Sequence, residues 1–260
     1  MHHDPFTVIV FFIAGALIST LGAMTGLGGG FLCVPFLIIV WGRDRSEAVL
    51  TSLTMIVANS ISSSITYFRS KMVDLRVFAL LIVPTIPGLF IGYFLLESME
   101  DAVFDIIFSI LLILVTMFIL IKNTRKKAST SGGREKRKLL PHISVPIAFA
   151  TGTASSTFGI GGGALLMPLQ VGLLKMNVKR AIATSMFLLA FMSTFRVFVI
   201  SGGAFDPFMA LPLAAGAVLG AQGGAKIVKK LKGKYLLYVL SLFLFLIAVF
   251  MLVGAVPDVF

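Results

Sequence analysis

Two short glycine runs are the part of this chain best suited to hold a ligand. Gly26-Leu27-Gly28-Gly29-Gly30 is followed by Pro35, and Gly159-Ile160-Gly161-Gly162-Gly163 by Pro168, at an offset of 133 residues. The offset persists beyond the glycines, since Glu47-Ala48-Val49-Leu50-Thr51-Ser52 aligns with Arg180-Ala181-Ile182-Ala183-Thr184-Ser185. Each run interrupts a long apolar stretch, Phe6 to Trp41 and Ile143 to Leu174. A glycine break at membrane depth leaves backbone N–H groups that lipid cannot satisfy, so the turn must face protein or a wet cavity. A helix beginning there adds the positive end of its dipole, and two such termini brought together bind an anion through backbone donors alone. Glycine-broken apolar segments at matching positions in two halves are the pattern of a transporter's binding site. Close helix packing is the competing explanation for glycine, and it accounts for one run more readily than for a duplicated pair. Soluble nucleotide-binding loops are excluded, because neither run follows a strand in a βαβ unit and no Gly-Lys-Ser/Thr is present.

The candidate substrate-binding backbone is therefore Gly28, Gly29 and Gly30 together with Gly161, Gly162 and Gly163. Enlarging Gly29 or Gly162 to valine is expected to abolish binding in a protein that still inserts into the membrane. Pro35 and Pro168 each remove an N–H and free a carbonyl, which serves either as a kink or as a coordination point. Thr51 and Ser52, with Thr184 and Ser185, offer hydroxyl donors one turn into the following helices; hydrogen bonding between helices is the alternative use. Asn59 leads a polar band with Ser60, Ser62, Ser63 and Ser64 that the second copy replaces by Met192-Ser193-Thr194. Arg196 is the one cation well inside an apolar span, either functional or snorkelling to the near surface. Cys33 follows the first glycine turn and matches Leu166, as an inert buried thiol would. His142 opens the second broken stretch, where a loop histidine is expected.

These residues need a membrane scaffold to hold them. The chain is 58% hydrophobic, with a mean hydropathy of +1.02, and its separate apolar runs of about 20 residues place it among all-α polytopic membrane proteins. A net charge of +11 invites a nucleic-acid partner, but 13 of the 22 Lys and Arg fall in two short clusters, Lys122 to Lys138 and Lys226 to Lys234, at the ends of apolar runs. That placement is the positive-inside bias of cytoplasmic loops. A cleavable signal peptide is not expected, because Met1 to Pro5 carries no Lys or Arg. A single cysteine excludes an internal disulfide and any multi-cysteine metal site. No cofactor and no metal are implied.

Loop charge and segment parity give a topology. With both basic clusters cytoplasmic, residues 202–206 lie outside and the Lys175-Lys179-Arg180 turn inside. The stretch from Ile143 to Leu174 must then begin and end on one side, and as a single helix it would be about 50 Å long, too long for one crossing. A hairpin of two short helices meeting at the glycines satisfies both constraints. The first half gives the mirror image, with Glu97, Glu100 and Asp101 outside, Arg69, Lys71 and Arg76 inside, and the stray cations Arg43 and Arg45 outside. The expected architecture is two inverted-topology repeats, each a hairpin plus three transmembrane helices. Repeat 1 covers 1–122 (hairpin 6–41, helices about 47–69, 75–97 and 102–121), a basic cytoplasmic linker 123–140, and repeat 2 covers 141–260 (hairpin 143–174, helices about 180–200, 207–226 and 235–254). Both termini are expected outside. Within the repeats, Pro87-Gly88-Leu89-Phe90-Ile91-Gly92 resembles Ala215-Gly216-Ala217-Val218-Leu219-Gly220, both with small-xxx-small spacing.

The duplicated glycine turn with its proline, the repeated Ala-x-x-Thr-Ser and the basic central linker resemble the TauE/SafE family of sulfite and sulfonate exporters. The resemblance implies a cell-membrane transporter of small sulfur-containing anions such as sulfite, sulfoacetate or taurine. The bottom-up reading reaches a secondary anion transporter working by alternating access; an anion channel, or a carrier of another oxyanion or a carboxylate, shares the same features. An enzyme is not expected, with no Gly-x-Ser-Gly nucleophile, no paired intramembrane Asp and no His-Glu-x-x-His. The implied partners are a small anion and the lipid bilayer. A proton or sodium ion as coupling ion, and assembly into a homo-oligomer, are compatible with the chain but marked by no residue.

Overall fold

The computed structural model describes residues 5–124, 141–200 and 206–230, with positions 245, 248 and 249. The expected linker beyond residue 124, both termini and the helix 235–254 lie outside the described residues apart from those three positions. Among the described residues every regular element is helical. They form an all-α polytopic membrane protein.

Helix α1 runs from Pro5 to Thr25 and ends where Gly26 turns left-handed at φ 76°. The sequence leads one to expect a short helix here. Its 21 residues make about 31 Å, a full membrane span, because nothing between Phe6 and Met24 breaks the helix. Phe11, Gly15, Ile18, Ser19 and Gly22 are buried along one face, whereas Phe6, Ile9, Ile13 and Leu17 are exposed. Five described helices are long and apolar enough to cross a bilayer. Such apolar outer faces are what lipid demands.

Helix α2, Gly30–Pro35, continues without a break into a π-helical turn, Phe36–Val40. Pro35 has no N–H to offer the preceding turn, and the helix widens directly after it. The second copy repeats the arrangement. Helix α6 (Pro141–Phe158) leads into α7 (Gly163–Pro168), which widens into a π-turn over Leu169–Leu173. There Leu174 N–H donates to Leu169 C=O at 3.0 Å, five residues back. The first hairpin is antiparallel: the Phe11 ring lies 4.7 Å from Trp41 and 6.4 Å from Phe36, while Gly22 lies against Gly28 and Gly29 at the other end.

Four further helices complete this region, and α5 follows α4 in the chain. Helix α3 spans Arg45–Arg69, α4 spans Leu75–Ser98, α5 spans Asp101–Thr124, α8 spans Val178–Thr194 with a π-helical extension Phe195–Ile200, and α9 spans Pro207–Lys230. Local chemistry fixes their starts. Asp74 accepts from the Arg76 and Val77 N–H groups ahead of α4, Asn177 from Lys179 N–H ahead of α8, and Asp206 from Phe208 N–H ahead of α9. Each is an N-cap carboxylate or amide satisfying an orphan donor. Arg43, which segment parity puts outside as a stray cation, pairs with Glu47 at 3.0 Å.

The compact units of the molecule do not follow the two sequence halves. One unit comprises 1–97 with 138–230, the other 98–137 with 231–260. In the second unit, α5 stacks Phe104 on Phe108 at 5.6 Å. In the first, helices of opposite halves interlock through glycine. A Cβ on Gly88 would fall on the Phe149 carbonyl, and one on Gly92 on that of Thr153. Likewise Gly220 lies on the Ala16 carbonyl and Gly224 on that of Thr20. In both pairings the partners climb together along the chain, so α4 runs parallel to α6 and α1 parallel to α9. These contacts match Gly88 with Gly220 and Gly92 with Gly224, one helical turn later than the small-residue spacing alone indicates. Packing selects the register because each glycine must lie over a particular carbonyl.

Helix α3 is polar inside and apolar outside. Thr51, Ser52, Asn59, Ser60, Ser62, Ser63 and Ser64 are buried, whereas Ile61, Ile65 and Phe68 are exposed. Several hydroxyls return to their own helix, as Ser63 does to Asn59 C=O at 2.8 Å. Ser62 instead donates across to Val218 C=O on α9 at 3.1 Å. Polar groups turned inward are the arrangement a bilayer enforces.

Candidate functional site

The two glycine turns have the same backbone. Gly28 and Gly29 sit at φ 87° and 90°, and Gly161 and Gly162 at 73° and 74°. Side chains avoid this region, so glycine is required at these positions. Gly29 and Gly162 are the N-cap residues of α2 and α7. The Gly29 carbonyl accepts from Leu32 and Cys33 N–H at 3.0 and 3.1 Å, and the Gly162 carbonyl from Leu165 and Leu166 N–H at 3.2 and 3.1 Å. The N–H groups of Gly30 and Gly163 precede the first bonds of their helices and have no acceptor within them.

The turns also meet each other. A Cβ on Gly30 would fall on the Gly159 carbonyl and 2.9 Å from Ile160 Cα; one on Gly163 would fall on the Gly26 carbonyl and 2.6 Å from Leu27 Cα. Adding 133 to Gly30 and subtracting 133 from Gly159 and Ile160 gives the second contact. The same relation governs the next layer, where the Cβ position of Gly26 is 3.1 Å from Ile182 Cα and that of Gly159 is 3.0 Å from Val49 Cα. Ile56 and its counterpart Leu189 reach both turns, lying within 3.5 Å of the Cβ positions of Gly28 and Gly161 alike. Reciprocal contacts of this kind mark a pseudo-two-fold relation. Gly26 through Pro35 and Ser155 through Gly163 are buried throughout.

The side chains around the turns break that symmetry. From α3, the Ser52 hydroxyl donates to Gly159 C=O at 2.9 Å, and Asn59 Nδ2 donates to Gly28 C=O at 2.7 Å. One helix thus holds a carbonyl of each turn. On α8 the equivalent residues do otherwise. Ser185 accepts from Gln170 Nε2 at 3.1 Å, Thr184 accepts from Asp74 N–H at 2.9 Å, and Met192 stands where Asn59 does in the first copy. Thr51 Oγ1, Asn59 Oδ1, Ser155 Oγ and Gln170 Oε1 are buried without a hydrogen-bond partner among the described residues. Ser155 lies beside the second turn, its Cβ 3.3 Å from the position a Gly162 Cβ would take. Pro35 is buried, and Pro168 closes α7 at the same place in its hairpin.

Arg196 is 2% exposed and does not snorkel. Its Nε donates to Ser156 Oγ at 2.7 Å, and its guanidinium lies 4.6 Å from the centre of the Tyr93 ring. Glu97 lies one turn further along α4 than Tyr93. Arg196 therefore ties the π-turn of α8 to the last turn of α6, three residues before Gly159, and to α4. Cys33 is fully buried, and His142 is exposed.

Sequence reasoning missed Gln170, Ser155, Ser156 and Tyr93. Gln170 carries a signal in the duplication itself: a glutamine stands deep in the second broken stretch where the first has Leu37. Ser155 and Ser156 carry none, since serine is common in membrane helices. Among the described residues no group of three or more His, Cys, Asp or Glu lies together. The chemistry available at the turns is neutral backbone and hydroxyl hydrogen bonding, strengthened by burial.

Comparison with known proteins identifies the family of the chain as a whole. The model of the family described as "Sulfite exporter TauE/SafE" matches residues 11–251. The probable membrane transporter protein YunE of Bacillus subtilis is 27% identical over 259 residues, covering 92% of this chain and 95% of that protein. A probable membrane transporter protein of Methanocaldococcus jannaschii is 28% identical over 264 residues, covering 95% of each. One from Haemophilus influenzae is 25% identical over 232 residues, covering 88% and 87%.

Proposed function

The chain belongs to the sulfite exporter TauE/SafE family, and from that premise we propose that it carries small sulfur-containing anions, sulfite or an organosulfonate, across the cell membrane. At the coarser level it is a multi-pass membrane transporter, the activity its family and its relatives' names describe. The observation that carries the finer reading is the reciprocal seating of the two glycine turns, Gly30 on Gly159 and Gly163 on Gly26. Two helix N-termini meet there inside the protein, without a carboxylate among the residues that form the turns. Backbone N–H groups of Gly29, Gly30 and Gly161 to Gly163 bind the anion, while the Gly28 N–H is held by Gly22 C=O at 3.4 Å and the Ser52 hydroxyl and Asn59 amide hold the turns in place.

Transport follows from two halves of opposite orientation rocking about this pair, which presents the anion to one side and then the other. Export is the direction the family description names. Counterflow in proteoliposomes tests the mechanism. Unlabelled sulfite or sulfonate trapped inside is expected to accelerate entry of labelled substrate several-fold, whereas absence of trans-stimulation by any sulfur oxyanion would leave a channel and sink the carrier reading.

The proposed orientation places the linker at residue 130 in the cytoplasm and both termini outside. A protease-accessible tag at 130 is expected to be cut only from the cytoplasmic face, and terminal tags only from the outer face. A cytoplasmic N-terminus would remove the inversion.

A further inference from the structure

Ser52 and Ser185 occupy equivalent places and make different bonds. Gly159 packs on Val49, and Ser52, one turn further along α3, donates to Gly159 C=O. Gly26 packs on Ile182 in the same way, and Ser185 is one turn further along α8. Symmetry therefore places Ser185 in the position relative to the Gly26 carbonyl that Ser52 has relative to Gly159 C=O. No side chain among the described residues bonds that carbonyl. Ser185 is engaged by Gln170 Nε2 at 3.1 Å instead, from a position where the first copy has the apolar Leu37. Gln170 is fully buried, and its Oε1 has no hydrogen-bond partner among the described residues. A buried amide left half satisfied is a costly arrangement, and its visible effect is to hold one serine of the pair.

We infer that Gln170 is a positioning residue that keeps Ser185 off the Gly26 carbonyl and so favours the conformation in which Ser52 holds Gly159. The inference rests on the alternating-access reading. In a transporter built from two equivalent halves, the second state is reached when each half takes up the other's conformation. In that state Ser185 donates to Gly26 C=O and Ser52 releases Gly159. The two serines exchange roles as the halves exchange conformations, and Gln170 sets which side of that exchange is populated.

Trp41 reports the exchange because it is the only tryptophan. It is half-buried here, whereas its counterpart Leu174 is 1% exposed. A first half that took up the second half's conformation would bury Trp41. The experiment uses the full-length protein without substrate in nanodiscs, reading Trp41 emission and its quenching by iodide. Gln170→Leu, which installs the residue of the matching position, is expected to move the equilibrium about five-fold, the worth of one hydrogen bond. Emission then shifts to the blue and iodide quenching falls. Adding Ser185→Ala is expected to restore both, which a purely structural role for Gln170 would not do. Ser52→Ala shifts Trp41 in the same direction and carries the test if Gln170→Leu does not fold. Unchanged emission in Gln170→Leu and Ser52→Ala, or a shift that survives Ser185→Ala, overturns the inference. The optical readout is independent of transport, so a protein that shows the Trp41 shift but moves no sulfur anion refutes the proposed substrate and leaves the exchange standing.

Discussion

Gly30→Ala is expected to reduce uptake to about a hundredth of the wild-type rate or less, while Gly223→Ala leaves it unchanged. The first substitution adds one methyl group at the point where the turns meet, and that methyl would fall on the Gly159 carbonyl with Ile56 Cδ1 at 2.7 Å. Backbone cannot yield there by a rotamer change, so the turns must separate by more than an ångström. Misplacement of that size costs on the order of 100-fold in a site that works by geometry, and overpacking of this kind lowers stability by about 1–3 kcal/mol. Gly223 lies in α9 with nothing within 4 Å of its added carbon, and replacing a helical glycine by alanine stabilises by roughly 0.5–1 kcal/mol. Gly163→Ala should reproduce Gly30→Ala, since it meets the Gly26 carbonyl in the matching contact. Initial uptake rates in proteoliposomes, with a thermal melt of each variant, check the set. Wild-type uptake in Gly30→Ala would show that the turns do not act as a pair. Gly29 and Gly162, at φ 90° and 74°, are poorer test sites, because valine there strains the backbone and clashes with Ile18 or Thr151 whether or not an anion binds.

Arg196→Ala is expected to lower stability by about 3 kcal/mol, the sum of a charged hydrogen bond and a desolvated cation–π contact. It removes the donor from Ser156 Oγ and the guanidinium from over Tyr93. Because Ser156 belongs to the last turn before Gly159, the loss should reach the second glycine turn and weaken substrate affinity as well. Arg196→Lys separates the two roles that the sequence leaves open. A lysine keeps the charge but loses both the Nε donor and the flat face for stacking. If Arg196 acts by holding α6, α4 and α8 together, lysine should be nearly as destabilising as alanine. If it touches the anion directly, lysine should retain affinity while alanine raises KM with little change in the melt. Thermal midpoints and substrate KM for both variants decide between these outcomes.

The sequence alone specified the membrane class, the helical extents within a few residues, and the pair of turns. Those features follow from local chemistry repeated along the chain. Apolar runs of about 20 residues fit one solvent, basic clusters mark where such runs end, and consecutive glycines mark where a backbone must turn left-handed. Duplication at 133 residues then identified the two turns as equivalent. It did not reveal that they touch, that Ser52 and Asn59 on one helix hold both, or that Arg196 lies against Tyr93 rather than at the surface.

Those arrangements were decided by tertiary structure, because each joins segments far apart in sequence. Ser52 and Gly159 are 107 positions apart, and no local pattern sets their distance. The match between the small-residue motifs of α4 and α9 shifts by one turn for the same reason, since several small residues fit the spacing and only the opposing carbonyl selects among them. Gln170 shows the limit most clearly. Its difference from Leu37 could be read from the sequence, but its meaning depends on Ser185, whose matching serine is bonded to a carbonyl in the other half. Backbone conformation is written locally in residue type, whereas the choice among hydrogen-bond partners within a buried, nearly symmetric core is made by whichever groups the fold brings within 3 Å.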